Sequence, residues 1–426
     1  MTINIALLGF GTVASGVPFL LKENGAKITA AANADIKIAK VLVKDEAEKN
    51  ALLAEGKAYH FVTDIAEILN DASIDIVIEL MGRIEPAKTF ITKALQAKKH
   101  VVSANKDLLA VHGAELLAIA RDNGVALYYE AAVAGGIPIL RTLASAYQAD
   151  KITKILAVAN GTSNFMMTKM VDEGWTYDEA LAEASRLGYA ESDPTNDVDG
   201  IDAAYKMVIL SQFAFGMTIN FEDVRHEGIR HITPEDVTLA QKLGYVIKLV
   251  GEIVERESGI YAEVVPTFLP KNHQLATVNG VMNAVFVESI GIGEAMYYGP
   301  GAGQKPTATS VVADIIALAH GIVKGEKVAP FNNFARETVY AKKEDLLDKY
   351  YFAIETEDKT GQLLKLAELF EAENVSFGQV FQENLAENRA SIAIISHQMD
   401  LNQFDSLVEK ISALPGFTLR NTIKVI

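Results

Sequence analysis

The chain opens with a pattern of apolar and polar positions that predicts a strand followed by a helix. Residues 3–9 form an apolar run typical of a buried strand, and a helix is predicted over 14–24. Similar alternation continues to about residue 130 and predicts a parallel, doubly wound sheet. The further predicted strands are 36–43, 74–80, 100–103 and 125–129, and the further predicted helices are 64–70, 86–98 and 113–123.

Beyond residue 130 the pattern changes to a mixture of helices and longer strands. The mixture predicts an α+β domain that supplies a substrate pocket. Its predicted strands are 151–159, 246–256, 260–269, 276–279 and 281–287, and its predicted helices are 176–187, 201–215 and 307–322. The last of these helices is strongly apolar and could return to pack on the first domain.

A charged segment containing Pro330, residues 324–348, is predicted to be a linker. After it the pattern predicts a strand over 350–356, a helix over 361–373, strands over 375–382 and 389–397, a helix over 401–412 and a strand over 417–425. This β-α-β-β-α-β order is ferredoxin-like. The predicted fold class is therefore α/β, with domains over 1–130, 131–323 and 349–426.

The first strand ends in a glycine-rich turn. Gly9, Gly11 and Ala14 form the Gly-x-Gly-x-x-Ala version of the dinucleotide fingerprint. Gly9 permits the tight turn, Gly11 leaves room for a pyrophosphate, and Ala14 lets the helix lie close to the strand. The helix amino terminus would face the phosphates. An ordinary tight strand–helix turn without a ligand is the alternative.

Composition narrows the classes of partner and compartment. The 426 residues carry a formal net charge of −16, which argues against nucleic acid or an anionic membrane as a partner. The absence of cysteine excludes disulfides and thiolate metal sites. No uninterrupted apolar run reaches membrane-spanning length and no secretory signal is recognisable, so we expect a cytoplasmic protein.

Two lysines stand out as candidates for chemistry. Lys106 follows the strand over 100–103, at the sheet edge where doubly wound folds bind ligands, although a solvated lysine at a helix start is the alternative. Asp202 and Lys206 are four residues apart, and so share one face of an apolar helix. A lysine near apolar surface beside a carboxylate can exchange a proton with a substrate oxygen. The alternatives are a surface ion pair or a solvated acidic turn, while the missing final glutamate argues against an EF-hand.

Two glycine-rich segments give less specific predictions. Residues 130–138 form an irregular turn whose carbonyl oxygens could bind a monovalent cation, although the residues by themselves favour a loop that crosses between domains. Residues 298–307 precede the apolar helix and suit close approach to a ligand, although a flexible hairpin loop is the alternative.

Taken together, these segments resemble bacterial homoserine dehydrogenase with a carboxyl-terminal ACT domain, over essentially the whole chain. The resemblance rests on Gly-Phe-Gly-Thr-Val at 9–13, Ser-Ala-Asn-Lys at 103–106 and the segments at 130–138, 160–164, 188–206 and 299–303. It implies NAD(P)-dependent interconversion of L-aspartate 4-semialdehyde and L-homoserine in threonine and methionine biosynthesis. Ala14 replaces the commoner glycine, and Tyr205 stands where the family often has arginine.

The resemblance also implies roles for individual residues. Lys206 matches the catalytic proton donor, and Lys106 matches the lysine that reaches cofactor and substrate. The residues that match substrate contacts are Glu191 and Asp202, with Asp197 beside them. The residues that match cofactor contacts, with the fingerprint glycines, are Gly9, Phe10, Gly11, Thr12, Val13, Ser103, Lys106, Gly188 and Gly303. The residues that match a structural site for sodium or another monovalent cation are Glu130, Val133, Gly135 and Ile137.

Cofactor choice and regulation follow from two further positions. Lys44 could meet a 2′-phosphate and Asp45 could accept from a 2′-hydroxyl, and we favour NADP over NAD. Gly361 lies in the turn at 358–363 that matches the ACT turn where amino acids bind. The resemblance implies L-threonine as an effector there, although many ACT domains only dimerise. A homodimer or homotetramer is expected.

Two other functions remain open from the sequence. The chain could be another dehydrogenase of an amino-acid semialdehyde or amino dicarboxylate, sharing only the first domain with the resembled family. It could also be a catalytically silent amino-acid sensor. The joint presence of Lys106, Glu191, Asp202 and Lys206 argues against the sensor.

Overall fold

The amino-terminal part of the chain forms a six-stranded sheet in the computed structural model, which describes residues 1–325, 327–386 and 388–426. Residue 326, inside the predicted linker, lies outside the described residues. The strand order is β3-β2-β1-β4-β5-β6, and all pairs are parallel. The elements are β1 (Thr2–Leu8), α1 (Thr12–Glu23), α2 (Gly25–Ala32), β2 (Asp35–Leu42), α3 (Glu46–Ala54), β3 (Phe61–Val62), α4 (Ala66–Leu69), β4 (Ile76–Glu79), α5 (Ala87–Gln96), β5 (His100–Ser103), α6 (Lys106–Asp122) and β6 (Leu127–Tyr128).

This arrangement confirms the predicted doubly wound sheet. Its central strands are apolar without alternation because helices cover both faces, so that Ile3, Ile5 and Leu7 of β1 are fully buried. Chain order reverses between β1 and β4, and a crevice for ligands opens at that point of the carboxyl-terminal edge. The structure also contains α2, α3 and β3, which were not predicted, and α6 begins seven residues before the predicted helix.

The middle of the chain combines long antiparallel strands with helices. Its elements are α7 (Ile139–Ala146), β7 (Ile152–Val158), α8 (Gly161–Glu173), α9 (Tyr177–Arg186), α10 (Thr195–Val198), α11 (Ile201–Phe215), β8 (Arg225–His226), α12 (Pro234–Lys242), β9 (Tyr245–Arg256), β10 (Gly259–Pro270), β11 (Met282–Ser289), β12 (Gly293–Pro300) and α13 (Gln304–Lys324). Short 3-10 helices cover Glu130–Ala132, Phe221–Asp223, Gln274–Thr277 and Lys343–Asp345.

Two predictions in this part were wrong in detail. The strand predicted over 276–279 is instead part of the 3-10 helix Gln274–Thr277, because the His273 ring and carbonyl accept hydrogen bonds from nearby backbone N–H groups. The strand β12 was not predicted. It is the outermost strand of its sheet and alternates half-buried with exposed residues, so its sequence carries little apolar signal.

The carboxyl-terminal part joins the same sheet as the middle of the chain. Its elements are β13 (Leu347–Glu357), α14 (Gln362–Ala372), β14 (Phe377–Leu385), β15 (Arg389–Ser396), β16 (Met399–Asp400), α15 (Leu401–Ser412) and β17 (Phe417–Val425). The β-α-β-β-α-β order is the ferredoxin-like one. Because β17 pairs in parallel with β10, both parts share one sheet of eleven strands, whose main path is β12-β11-β7-β9-β10-β17-β13-β15-β14.

Helix α13 returns to the first domain. Gln304 donates a hydrogen bond to the Ser15 hydroxyl on α1 (2.7 Å), and a β-carbon on Gly16 would lie 2.7 Å from that of Ala308. The glycine therefore permits close packing of α1 against α13. By length and composition α13 could cross a membrane, but half of its apolar window is buried inside the structure, as in the core helix of a folded domain.

Candidate active site

A cavity of about 580 Å³ opens where the carboxyl-terminal edge of the parallel sheet meets the middle of the chain. The first domain contributes Val13, Ala104 and Lys106 to its wall, and α11 contributes Asp202 and Lys206. The loops that complete the wall pass through Ala132, Gly161, Gly188 and Gly301. The cavity thus lies between the carboxyl-terminal edge of the parallel sheet, where doubly wound folds bind dinucleotides, and charged side chains from the second domain.

Both candidate lysines contact one carboxylate in this cavity. Lys106 Nζ lies 3.1 Å from Asp202 Oδ1, and Lys206 Nζ lies 2.6 Å from Asp202 Oδ2. Lys206 also donates to the backbone carbonyl of Ala159, and its side chain is 9% exposed, whereas that of Lys106 is 33% exposed. The structure therefore brings together two ammonium groups from distant parts of the chain.

The electrostatics of this cluster favour the charged forms of Asp202 and Lys106. Burial opposes ionisation of Asp202, but Lys206 and Lys106 outweigh it and hold the pKa of this carboxyl well below its ordinary value. Burial likewise opposes the charge on Lys106, but Asp202 and then Asp107 raise the pKa of that ammonium above its ordinary value. Lys106 is thus a permanent positive charge beside the cavity at neutral pH.

Asn160 links this cluster to a second carboxylate. Its Nδ2 donates to Asp197 Oδ1 (2.6 Å) and to Asp202 Oδ2 (2.9 Å), and its Oδ1 caps α8 by accepting from the Ser163 N–H (2.8 Å). Burial raises the pKa of Asp197, while the hydrogen bond from Asn160 opposes that rise. Asp197 is therefore a carboxylate whose charge would be favoured by a cationic ligand.

The local sequence explains why these side chains converge. Gly200 starts α11 at a φ of 81°, and Asp202 in the first turn is favoured by the helix dipole. Lys206 lies one turn later on the same face. Asn105 caps α6 through the Leu108 N–H (3.2 Å), and this cap makes Lys106 the first residue of the helix at the sheet edge.

The glycine turn after β1 has the features of an anion site. Gly9 has a φ of 89°, and a β-carbon there would lie 3.2 Å from Met81 Cγ. A β-carbon on Gly11 would meet nothing within 4 Å, so the turn faces open space. Among the residues that the structure describes, no side chain caps the start of α1, which begins at the exposed Thr12, so that its first N–H groups can bind a phosphate. The Phe10 ring instead packs against Tyr59 (centroids 5.3 Å apart).

Ser103 at the end of β5 is bonded to a buried acid that sequence reasoning missed. Its hydroxyl donates to Glu79 Oε2 (2.7 Å), and Glu79 Oε1 accepts from the N–H groups of Met81 (2.8 Å) and Gly82 (3.1 Å). Burial raises the pKa of Glu79 despite these hydrogen bonds. Glu79 therefore fixes the loop after β4, which forms one wall of the crevice beside Gly9.

Comparison with known proteins identifies the family. The model for the homoserine dehydrogenase NAD-binding domain matches residues 9–130, and the homoserine dehydrogenase model matches 138–316. A homoserine dehydrogenase of Lactococcus lactis subsp. lactis is 58% identical over the full length of both chains. The chain belongs to the homoserine dehydrogenase family. It is therefore an NAD(P)-dependent oxidoreductase, and the predicted resemblance to homoserine dehydrogenase is confirmed.

Solved structures of the family share this fold. The crystal structure of a homoserine dehydrogenase from Thiobacillus denitrificans has a TM-score of 0.94 at 36% identity, and the match covers 100% of this chain and 98% of that one. A hyperthermophilic archaeal homoserine dehydrogenase in complex with NADPH has a TM-score of 0.64 at 28% identity, covering 77% of this chain and 100% of that one. The longer match includes the carboxyl-terminal part.

Asp45 and Lys44, the two residues predicted to determine the cofactor preference, lie in different surroundings. Asp45 caps α3, since its Oδ1 accepts from the Glu48 N–H (2.9 Å). The Lys44 side chain is exposed beyond the end of β2, and its backbone N–H donates to Glu48 Oε2 (2.7 Å). The Asp45 side chain is thus bonded to its own helix, while the Lys44 side chain is exposed to solvent.

The segment predicted to hold a cation is deeply buried. Both carboxylate oxygens of Glu130 accept from N–H groups of α7, those of Leu140 (2.8 Å) and Arg141 (2.7 Å). The Glu130 side chain therefore caps α7. The groups that this segment could use to bind a cation are its backbone carbonyls. The carbonyl of Gly135 accepts from the Ser310 hydroxyl (2.6 Å) and keeps a second lone pair. Val133 and Ile137 are also buried.

Eight of the predicted site residues line the cavity, namely Val13, Lys106, Gly135, Gly188, Asp197, Asp202, Lys206 and Gly303. The predicted residues that are not among its lining residues are Gly9, Phe10, Gly11, Thr12, Lys44, Ser103, Glu130, Val133, Ile137 and Glu191. Gly188 and Gly303 line the cavity with φ values of 76° and 122°. Glu191 is exposed on the following loop and is not among the lining residues. Sequence reasoning assigned no role to Asn160 or Asn283, although both also line the cavity. The position of Asn160 directly after a buried strand was the signal that could have found it.

Proposed function

We propose that the chain reversibly interconverts L-homoserine and L-aspartate 4-semialdehyde with NAD(P), in the cytoplasm, within threonine and methionine biosynthesis. The observation that carries the proposal is the pair of ammonium groups on Asp202, at a cavity that borders the glycine turn. Two ammonium groups beside a nicotinamide site suit a reaction in which an aldehyde oxygen becomes an alkoxide.

The two lysines would divide the work. In the reducing direction Lys206 donates a proton from Nζ to the developing alkoxide, and in the oxidising direction it accepts that proton. Lys106, whose pKa is raised, would stay charged and stabilise the oxygen electrostatically rather than give up its proton. When bound, the nicotinamide cofactor supplies or accepts the hydride.

The carboxylates would hold the other end of the substrate. Asp197 and Asp202 both accept from Asn160, and an α-ammonium beside them would stabilise the charge on Asp197 that burial opposes. Glu191 keeps its proposed role in binding the substrate ammonium only if the loop after Gly188 moves toward the cavity. Glu191→Gln should then raise the KM for homoserine, whereas an unchanged KM would remove Glu191 from the site.

A single assay tests the central proposal. Homoserine should drive formation of reduced nicotinamide, followed by its absorbance, and Lys206→Ala should lower kcat by roughly 10²–10⁴ with little change in cofactor affinity. Lys169→Ala is a matched control, because Lys169 pairs with Glu173 near the surface of α8. If homoserine did not drive formation of reduced nicotinamide, and another amino-acid semialdehyde or amino dicarboxylate were turned over instead, the alternative dehydrogenase function would be favoured.

We propose NADP as the preferred cofactor. The exposed Lys44 ammonium suits a 2′-phosphate, while the capping role of Asp45 leaves it less available for a 2′-hydroxyl. The NADPH bound by the archaeal relative is in line with this choice. Lys44→Ala should raise the KM for NADP by up to about fivefold and leave the KM for NAD nearly unchanged. A preference for NAD in the wild type would reverse the proposal.

We further propose that sodium or another monovalent cation binds the backbone carbonyls of Glu130, Val133, Gly135 and Ile137. Support comes from the burial of all four residues in a turn that joins the domains. The melting temperature should rise with sodium or potassium chloride relative to choline chloride at equal ionic strength. Equal melting temperatures in all three salts would argue against the site.

We assign the carboxyl-terminal part, residues 349–426, to a regulatory ACT domain, after a linker over 324–348. The turn at Gly361 (φ 92°) borders a hollow of about 270 Å³, lined by residues from Thr356 to Leu363 and from β14 and β15. L-Threonine is the effector proposed there. Millimolar L-threonine should inhibit the wild type, and inhibition should be lost in Gly361→Val; activity unaffected by threonine would leave only a structural role.

We propose a homodimer or homotetramer as the working form. Support comes from β12, whose outer edge is unpaired within the described residues and which exposes Tyr298 (54%), next to the exposed Ile290 (71%) and Ile292 (54%). Light scattering coupled to gel filtration should give a mass at least twice that of one chain. A monomer at micromolar concentration would overturn this proposal.

A further inference from the structure

Asn283 occupies the wall of the catalytic cavity, and neither the resemblance nor the proposed roles assign it a part. It is the second residue of β11, is 1% exposed, and lines the cavity beside Pro300 and Gly301. A buried amide at this position is unusual among the apolar residues of β11, of which Ala284, Val285 and Val287 are fully buried.

The orientation of this amide is fixed by its neighbour. Nδ2 donates to the backbone carbonyl of Ala159 (3.0 Å), and because a carbonyl can only accept, the NH₂ end must face it. The same carbonyl accepts from Lys206 Nζ. Asn283 is thus joined, through one shared acceptor, to the proposed proton donor.

The other end of the amide has no partner. Among the described residues, Asn283 Oδ1 is one of three buried side-chain atoms without a hydrogen bond, and the other two, on His320 and Arg389, do not line this cavity. Leaving a buried acceptor unsatisfied costs about 1–3 kcal/mol. Lys206 donates to Asp202 and to the Ala159 carbonyl, and Lys106 pairs with Asp202 and Asp107, so that among the described residues neither ammonium reaches Oδ1. A donor for Oδ1 is therefore expected from what the cavity binds.

The glycine loop lies directly over this amide. A β-carbon on Gly301 would lie 2.1 Å from Asn283 Nδ2 and 2.5 Å from Oδ1. The loop that leads into α13 can therefore approach the amide only as glycine, and the contact holds the amide at the cavity wall.

We propose that Asn283 is a ligand-binding residue whose Oδ1 accepts a hydrogen bond from an N–H donor inside the cavity. This inference rests on the proposed function, because it takes its donors from that reaction. The α-ammonium of homoserine and the carboxamide NH₂ of the nicotinamide ring share the required chemistry.

The experiment compares Asn283→Leu and Asn283→Ala with the wild type in two arms. One arm measures the dissociation constants of NADPH and of its reduced 3-acetylpyridine analogue, which lacks the NH₂ donor, by nicotinamide fluorescence and without turnover. The other measures the KM for homoserine. Loss of a hydrogen bond to a buried acceptor should weaken the donating ligand by about 5- to 150-fold and leave the other within about threefold. If the nicotinamide is the donor, the variants should also lose the preference for NADPH over its analogue.

Asn164→Ala is the matched control. Asn164 is a buried amide that holds the same hairpin, with Nδ2 donating to Gly280 and Met282 and Oδ1 accepting from Lys248. It should lower the melting temperature while leaving both ligand constants within about threefold. Unchanged constants in both Asn283 variants, or equal losses in Asn164→Ala, would overturn the inference. Failure of the proposed function would instead appear in the wild type, as absence of homoserine-dependent turnover.

Discussion

Removing the negative charge of Asp202 is the sharpest test of the lysine cluster. In Asp202→Asn the two ammonium groups, at 3.1 Å and 2.6 Å from the carboxylate oxygens, lose the charge that compensates them. Breaking a buried ion pair by removing one partner costs about 3–5 kcal/mol. This penalty falls on the charged form of a lysine, and at 1.36 kcal/mol per pKa unit about 3–5 kcal/mol lowers a lysine pKa by about 2–4 units. We therefore expect one of the two lysines to lose its proton near neutral pH.

Loss of that proton should be visible in the pH profile. The alkaline limb of kcat for semialdehyde reduction should move down by about 2 units or more, and kcat/KM at pH 7.5 should fall by about 10²–10⁴. Steady-state absorbance of reduced nicotinamide between pH 6 and pH 11 measures both.

The matched control is Asp107→Asn. Of the two lysines, Asp107 contacts Lys106, at 3.5 Å, and the Asp107 side chain is 32% exposed. An exposed pair is worth about 0–1 kcal/mol, so its loss should cost less than about fivefold. If Asp202→Asn behaved like Asp107→Asn in both rate and pH profile, the reasoning about a shared carboxylate would be refuted.

Three further substitutions probe the frame around the site. Lys424→Met leaves Glu252, Glu263 and Asp348 without the buried ammonium that joins β17 to the strands from the middle of the chain. The substitution should lower the free energy of unfolding in urea by about 3–5 kcal/mol. An unchanged midpoint of urea unfolding would contradict this expectation. Burial lowers the pKa of Lys248 to about 8 in the folded chain. Between about pH 8 and 10.4 the unfolded chain therefore binds more protons than the folded chain. The free energy of unfolding of the wild type, relative to that of Lys248→Met, should rise with pH across that window by up to about 3 kcal/mol. A pH-independent difference between the two proteins would count against this burial effect. Gly301→Ala should lower kcat/KM more than about tenfold because its β-carbon would overlap the Asn283 amide, whereas near-normal kinetics would show that the loop can shift.

The apolar runs and glycine turns of the sequence predicted most of the elements that build the first domain, but not α2, α3 and β3. Uninterrupted apolar strands such as β1 and β4 can be recognised because helices cover both faces of a parallel sheet. The outer strand β12 could not be recognised in the same way, since its residues are half exposed and its pairing with β11 is a tertiary fact. The short helix α10 was equally invisible within an acid-rich stretch.

For the site, the sequence by itself determined the residue types and the local spacing, so that the pairing of Asp202 with Lys206 one helical turn away was predictable. Only the tertiary structure decided that Lys106, about a hundred residues earlier, reaches the same carboxylate. It also decided that Glu79 and Asn283 belong to this region, and that Glu191 lies outside the cavity wall. The physical reason is that hydrogen bonds and burial between distant segments depend on how the domains pack, and local periodicity carries no information about that packing.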